Sequence, residues 1–159
     1  MEWLPAGENI GNMMIEHLPS PVEAQKYRVL NLYTGPQDDE YAKAIREADP
    51  NGPLIVFVSK QVPTQNYRNF ICYGRVFSGT VKTGAKVLVL GGDVVEPGSK
   101  SIRKASISNS FLLRGKDYEA CSSIPCGNIV GLAGIDKYLL KSGTVTDGPT
   151  AYPIAPMKF

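Results

Sequence analysis

One histidine, three cysteines, a net charge of +2 and no long apolar run bound what this 159-residue chain does. A single imidazole and no G-x-S-x-G elbow leave no hydrolytic triad, and His17 sits in a segment that reads as a helix end. Three thiols suit a reducing compartment better than a disulfide scaffold. Cys121 and Cys126 have C-x4-C spacing, but structural zinc needs a second ligand pair. Only Cys72 and His17 remain to supply it, and nothing in the sequence brings them close, so packed small thiols are expected. No stretch approaches the roughly 18 apolar residues of a membrane span. The opening residues show neither a basic n-region nor an apolar h-region, so the expected location is the cytoplasm. The small net charge gives no general affinity for nucleic acid, and any basic footprint must be local.

Glycine and proline are plentiful, 16 and 12 residues, which predicts many turns and many short strands. Ile10, Met13, Met14 and His17 share one face of a short helix that Pro19 and Pro21 stop. Tyr27–Tyr33 reads as a strand closed by Thr34-Gly-Pro36. Residues 38–48 predict the clearest helix, with Tyr41, Ala44, Ile45 and Ala48 on one face and acidic residues in the first turn. That placement also explains Asp38, Asp39 and Glu40 without acid–base chemistry. Asp49-Pro-Asn-Gly52 matches a four-residue D-x-x-G pattern but reads as a turn. From Leu54 onward the pattern is β: 54–62, 70–77, 80–83, 86–90, 102–107, 110–113, 128–133 and 154–159. Short, evenly spaced strands favour a closed barrel, which removes exposed edges.

Gly79-Thr-Val-Lys-Thr-Gly84 followed by Ala85-Lys86 comes close to a phosphate-binding loop. That loop needs its lysine directly after the second glycine and must run into a helix N-terminus. Here Ala85 holds the lysine position, and Lys86–Leu90 is aliphatic and β-branched, so a strand follows. No nucleotide site is expected. Gly79 and Gly84 instead mark tight turns, and Gly74 permits a bend or a close backbone approach. Among the basic residues, Lys82 and Lys86 flank a turn, Lys100, Arg103 and Lys104 cluster, and Arg75 lies in the glycine-spaced strand. On one rim of a small barrel they are candidates to hold a phosphate backbone. The same residues also fit a solvated edge whose lysines block strand pairing.

Three groups of residues carry a family resemblance. His17-Leu-Pro-Ser-Pro21 with Ala24-Gln-Lys-Tyr-Arg28 resembles the junction leading out of the GTPase domain of elongation factor 2, the eukaryotic and archaeal ribosomal translocase. Gly35-Pro-Gln-Asp-Asp39 and Asp49-Pro-Asn-Gly-Pro-Leu54 are similar to the family's next segment. Tyr73-Gly-Arg-Val-Phe-Ser-Gly79 and Pro125-Cys-Gly-Asn-Ile-Val-Gly131 resemble the hallmark pair of its second domain, with Gly74, Gly79, Gly84, Pro125, Gly127 and Asn128 as the structural motif. The stretch from Gly74 to Gly84 is similar to elongation factor Tu as well. The likeness runs from about Met13 to Phe159.

The resemblance implies an all-β fold with short flanking helices: a six-stranded antiparallel β-barrel of the translational-GTPase second-domain type. It implies that 1–20 close the preceding GTPase domain, 21–150 form the barrel unit, and 151–159 lead toward a third domain. The expected role is a non-catalytic module with no cofactor of its own, GTP and magnesium belonging to the parent GTPase. Its expected partners are small-subunit ribosomal RNA and the GTPase and third domains of the same chain, in a monomer with no membrane contact. Arg75, Lys82, Lys86, Arg103 and Lys104 are the candidate RNA contacts. The alternatives are a purely intramolecular interaction domain, or the same domain of the spliceosomal or the ribosome-release GTPase. Tyr27-Arg28, Leu32-Tyr33, Gly35-Pro36 and Asp38-Asp39 favour the translocase.

Overall fold

The computed structural model describes residues 5–64, 69–91, 97, 102–115 and 117–156. Three helices come first, α1 (Ala6–His17), α2 (Pro21–Leu32) and α3 (Glu40–Glu47). Among the described residues ten strands follow: β1 (Ile55–Pro63), β2 (Phe70–Ser78), β3 (Thr80–Lys82), β4 (Lys86–Gly91), β5 (Arg103–Ser106), β6 (Asn109–Arg114), β7 (Asp117–Cys121), β8 (Ser123–Pro125), β9 (Ile129–Ala133) and β10 (Gly143–Thr146).

The large sheet runs β5-β4-β10-β1-β2-β9-β6-β7, every pair antiparallel. Its two ends meet because β5 and β6 are consecutive. β5 pairs with β4, Ile107 N–H donates to Ala85 O at 3.0 Å, Ser108 N–H donates to Ala133 O at 3.0 Å, and β6 then pairs with β9. One extended segment therefore serves both ends of the sheet. The result is a closed barrel, as the strand spacing predicts, of six staves, β4, β10, β1, β2, β9 and the joined β5–β6, the number the resemblance implies. The small β3–β8 ribbon adds Val81 and Ile124 to the interior.

Strand alternation sends Val56 and Val58 into the barrel and Ile55 and Phe57 outward. The outward pair is also buried, under α2 and α3, beside Val29, Tyr41, Ile45 and Phe77. Both faces of this part of β1 are covered, which is why its sequence is continuously apolar rather than alternating.

The strand expected over Tyr27–Tyr33 is instead the second half of α2. A capping box decides it: the Ser20 side chain accepts from Glu23 N–H, the Glu23 carboxylate accepts from Ser20 N–H, and Pro21 takes the first helical position. Gln25 and Val29, one helical repeat apart, then point at the barrel. Residues 154–159 form no strand among the described residues: Ile154 makes one bridge to Tyr33, and 157–159 lie outside them. The sequence reading also omits β7, β8 and β10. β7 is a polar edge strand, and β10 is Gly-Thr-Val-Thr, whose buried Thr144 hydroxyl accepts from Ile154 N–H at 2.8 Å.

Gln25 fastens α2 to the barrel. A β-bulge skips Phe77 between the pairs Ile55↔Ser78 and Val56↔Val76. The freed Phe77 carbonyl accepts from Gln25 Nε2 at 2.9 Å, and the same amide donates to Ile45 O of α3. Gln25→Leu removes the donor to two carbonyls and is expected to cost about 2 kcal/mol, read as a lower urea midpoint at unchanged m-value.

Candidate nucleic-acid interface

The two hallmark stretches hold each other. Gly79 O accepts from Cys126 N–H at 3.0 Å, Val76 O accepts from Gly127 N–H at 2.8 Å, and Val76 N–H donates to Asn128 O at 3.0 Å. Pro125 O accepts from Asn128 Nδ2 at 3.1 Å, and Gly127 has φ +86°. Gly74 lies against the Phe57 carbonyl, where no Cβ fits. Gly79 and Gly84, with φ +73° and +83°, turn the chain from β2 into β3 and from β3 toward β4. The run that came close to a phosphate loop is therefore strand–turn–strand and offers no helix N-terminus.

That framework sets the basic side chains. Lys82 leaves β3 and Lys86 begins β4, and both line one groove, together with Thr80, Ser123 and Asp147. Lys86 and Asp147 also line a second groove, which holds Lys104 and Tyr138. Leu88 lies between Lys86 and the Lys104 position, since Leu88↔Lys104 and Lys86↔Ser106 are register pairs on one face. All three lysines are exposed, and Tyr138 is 43% exposed. Among the described residues Asp147 is the one carboxylate lining either groove, and its Oδ1 accepts from Leu54 N–H at 3.0 Å. Three ammonium groups around one engaged carboxylate leave a locally positive strip, with an aromatic face beside it for a base to stack on.

Two expected members stand apart. Arg103 sits opposite Val89 and shares its face with Ala105, whose methyl packs on the barrel interior, so alternation turns it away from Lys104. Arg75 is half-buried on the outer face of β2 beneath α2, in a cleft that shares no lining residue with the lysine grooves. Lys100 lies outside the described residues. Tyr138 went unread because a lone aromatic in Asp136-Lys-Tyr138 carries no periodic signal.

Residues 69–146 match the family model of elongation factor Tu domain 2. The match begins one residue before β2 and ends on the last residue of β10. That segment is similar to the second domain of elongation factor Tu. β1, which precedes the matched segment, completes the barrel by pairing with both β2 and β10.

Cys72 and Cys126 have structural settings. Cys72 is buried inside the barrel, and Cys126 Sγ donates to Ala48 O at 2.8 Å. Among the described residues, no group of three or more His, Cys, Asp or Glu comes together to hold a metal. No helix among them is long and apolar enough to cross a membrane. Burial pushes the Cys72 thiol from 9.0 up to about 12, with a smaller push from Asp136. A thiol raised on folding contributes stability that is full below its unfolded value and is lost as pH rises through the folded one. Cys72→Val is thus expected to match wild type in urea midpoint at pH 8 and to exceed it progressively from about pH 9 to about pH 12.

Proposed function

We propose that this chain is the second domain of an elongation factor 2-like GTPase, docking on small-subunit ribosomal RNA through Lys82, Lys86 and Lys104. The observation that carries the reading is the continuous strip formed by those lysines with Tyr138 across two adjoining grooves. Ammonium groups along a groove neutralise phosphates without reading sequence, and the exposed ring accepts an unstacked base. In this reading residues 1–20 close the preceding GTPase domain and 151–159 lead to the third. GTP and magnesium act in the parent protein outside this chain, and the barrel does no chemistry. It couples the position of the ribosome to the nucleotide state through its contact with the GTPase domain. Arg103 belongs to the strip only as a flanking charge, and Arg75 does not belong to it.

The first test is co-sedimentation of the chain with purified small ribosomal subunits at rising salt. The expected result is binding whose logarithm falls linearly with the logarithm of salt concentration and is indifferent to free GTP. No binding at low salt overturns the reading in favour of an intramolecular domain. That second reading has an observation of its own: α1 buries no residue and exposes Ile10, Met13, Met14 and Ile15, and Leu18 just after it is exposed as well. It predicts capture of a separately expressed GTPase domain and no affinity for RNA.

A further inference from the structure

Between α2 and the outer face of β1 and β2 lies a cleft of about 240 Å³. Arg28 borders it from the helix and Arg75 from the strand. Among the described residues no Asp or Glu lines it, and the ion pair found among them, Arg114 with Glu119, is on the β6–β7 hairpin. Arg75 Nε is buried with no hydrogen-bond partner among the described residues. A buried, charged donor without an acceptor is costly, and a second guanidinium at the same cleft adds repulsion. Burial first, and the Arg28 charge second, lower the Arg75 pKa below its ordinary value. A guanidinium is nonetheless always charged in practice, so the cleft presents a charged, unpartnered donor to an incoming anion.

The walls narrow what that counter-charge is attached to. Phe57, Phe77, Tyr73 and Ile129 supply an apolar, largely aromatic lining. The Arg75 guanidinium stands 5.6 Å from the Phe77 ring centre, and Lys60 Nζ stands 5.6 Å from that of Tyr73, so both rings already carry cations on their faces. A hydrated inorganic ion makes no use of such walls, whereas a flat apolar body bearing one anionic group uses both walls and charges. Guanidinium N–H groups match the paired oxygens of carboxylate and phosphate alike.

We propose that the α2–β2 cleft binds an oxyanion, carboxylate or phosphate, carried on an aromatic ring. The Nε–H of Arg75 and the Arg28 guanidinium hold the anion, and the Tyr73–Phe77 wall seats the ring. This site is independent of the lysine strip.

The test is a titration of the isotopically labelled chain with benzoate, phenyl phosphate, benzamide and inorganic phosphate, following the Arg75 Nε–Hε resonance. The resonance is expected to shift saturably with benzoate or phenyl phosphate, and the tighter of the two identifies the anion. Benzamide and inorganic phosphate are expected to bind at least about tenfold more weakly, as a lost charge-assisted contact implies. Arg75→Met, followed through the backbone amide resonances of Tyr73 and Phe77 in the cleft wall, is expected to weaken the preferred probe about tenfold or more, and Arg28→Gln, on the exposed side of the helix, several-fold. Benzamide binding as tightly as benzoate reduces the cleft to an apolar groove and overturns the proposal. Inorganic phosphate binding as tightly overturns the aromatic requirement, and no saturable shift with either aromatic anion overturns the site. If Arg75→Met does not fold, the wild-type resonance and Arg28→Gln decide, and an unchanged affinity in the latter removes Arg28.

Discussion

Gly79→Ala is expected to destabilise the fold by about 3 kcal/mol or more, because a backbone conformation and a backbone clash oppose the same methyl group. The backbone there has φ +73°, a conformation that costs an L side chain about 1–2 kcal/mol by itself. The added Cβ also meets Leu54 Cα at 2.8 Å and Gly52 O at 2.9 Å, both backbone atoms that no rotamer change moves. Relief requires the 52–54 segment to shift, and that segment leads into β1. The shift also strains two hydrogen bonds, from Gly79 N–H to Asp49 O at 2.8 Å and from Cys126 N–H to Gly79 O. Gly84→Ala is the control, since its φ is +83° but nothing lies within 4 Å of the added atom. It is expected to cost about 1–2 kcal/mol, the conformational part alone. Equal urea midpoints for the two variants contradict the backbone clash.

Replacing Lys82, Lys86 and Lys104 together by glutamine is expected to flatten the salt dependence of ribosome binding by about two to three units of log–log slope. Each phosphate contact contributes about 0.7–0.9 to that slope, the lower figure for single strands, so three independent contacts account for the change. Arg103→Gln is expected to change it by well under one unit, because its strand face is the opposite one. Tyr138→Ala gives a different signature, weaker binding at every salt concentration with the slope preserved, since stacking releases no counterion. All three lysines are exposed, so a fall in thermal stability of the triple variant is not expected to accompany the loss. A slope that survives the triple substitution removes the strip as the RNA contact.

How far the fold was legible depended on how local its causes are. The barrel strands announced themselves because β1, β2, β4 and β9 carry aliphatic runs between glycine and proline signals. α3 was legible from periodicity and from Asp39, whose side chain accepts from Ala42 N–H. α2 was misread because Tyr-Arg-Val-Leu has strand-like composition, while the deciding signal, Ser20 with Glu23, lies upstream of it. β10 was invisible because its threonines owe their burial to distant partners rather than to apolarity. The candidate site was legible by type and only partly by place. Lys82, Lys86 and Lys104 converge because β3, β4 and β5 are neighbours around one rim. Whether Arg103 joins them turns on a single step of strand alternation, and whether Arg75 does turns on a helix that the sequence reading had made a strand.

The barrel's closure has a consequence for how the chain reaches its native state. β1 pairs with β10 through Ile55↔Thr146 and Val56↔Val145, so its partner on one side arrives about ninety residues after it. During synthesis β1 and β2 form a hairpin early, yet the far edge of β1 stays open until residues 143–146 have left the ribosome. Pairings of such long sequence separation make folding slow relative to helical domains of this size, because loop closure precedes any gain from contact. Folding of the nascent chain is therefore gated by the arrival of Gly143–Thr146, the shortest of the barrel's central staves and the last to be made.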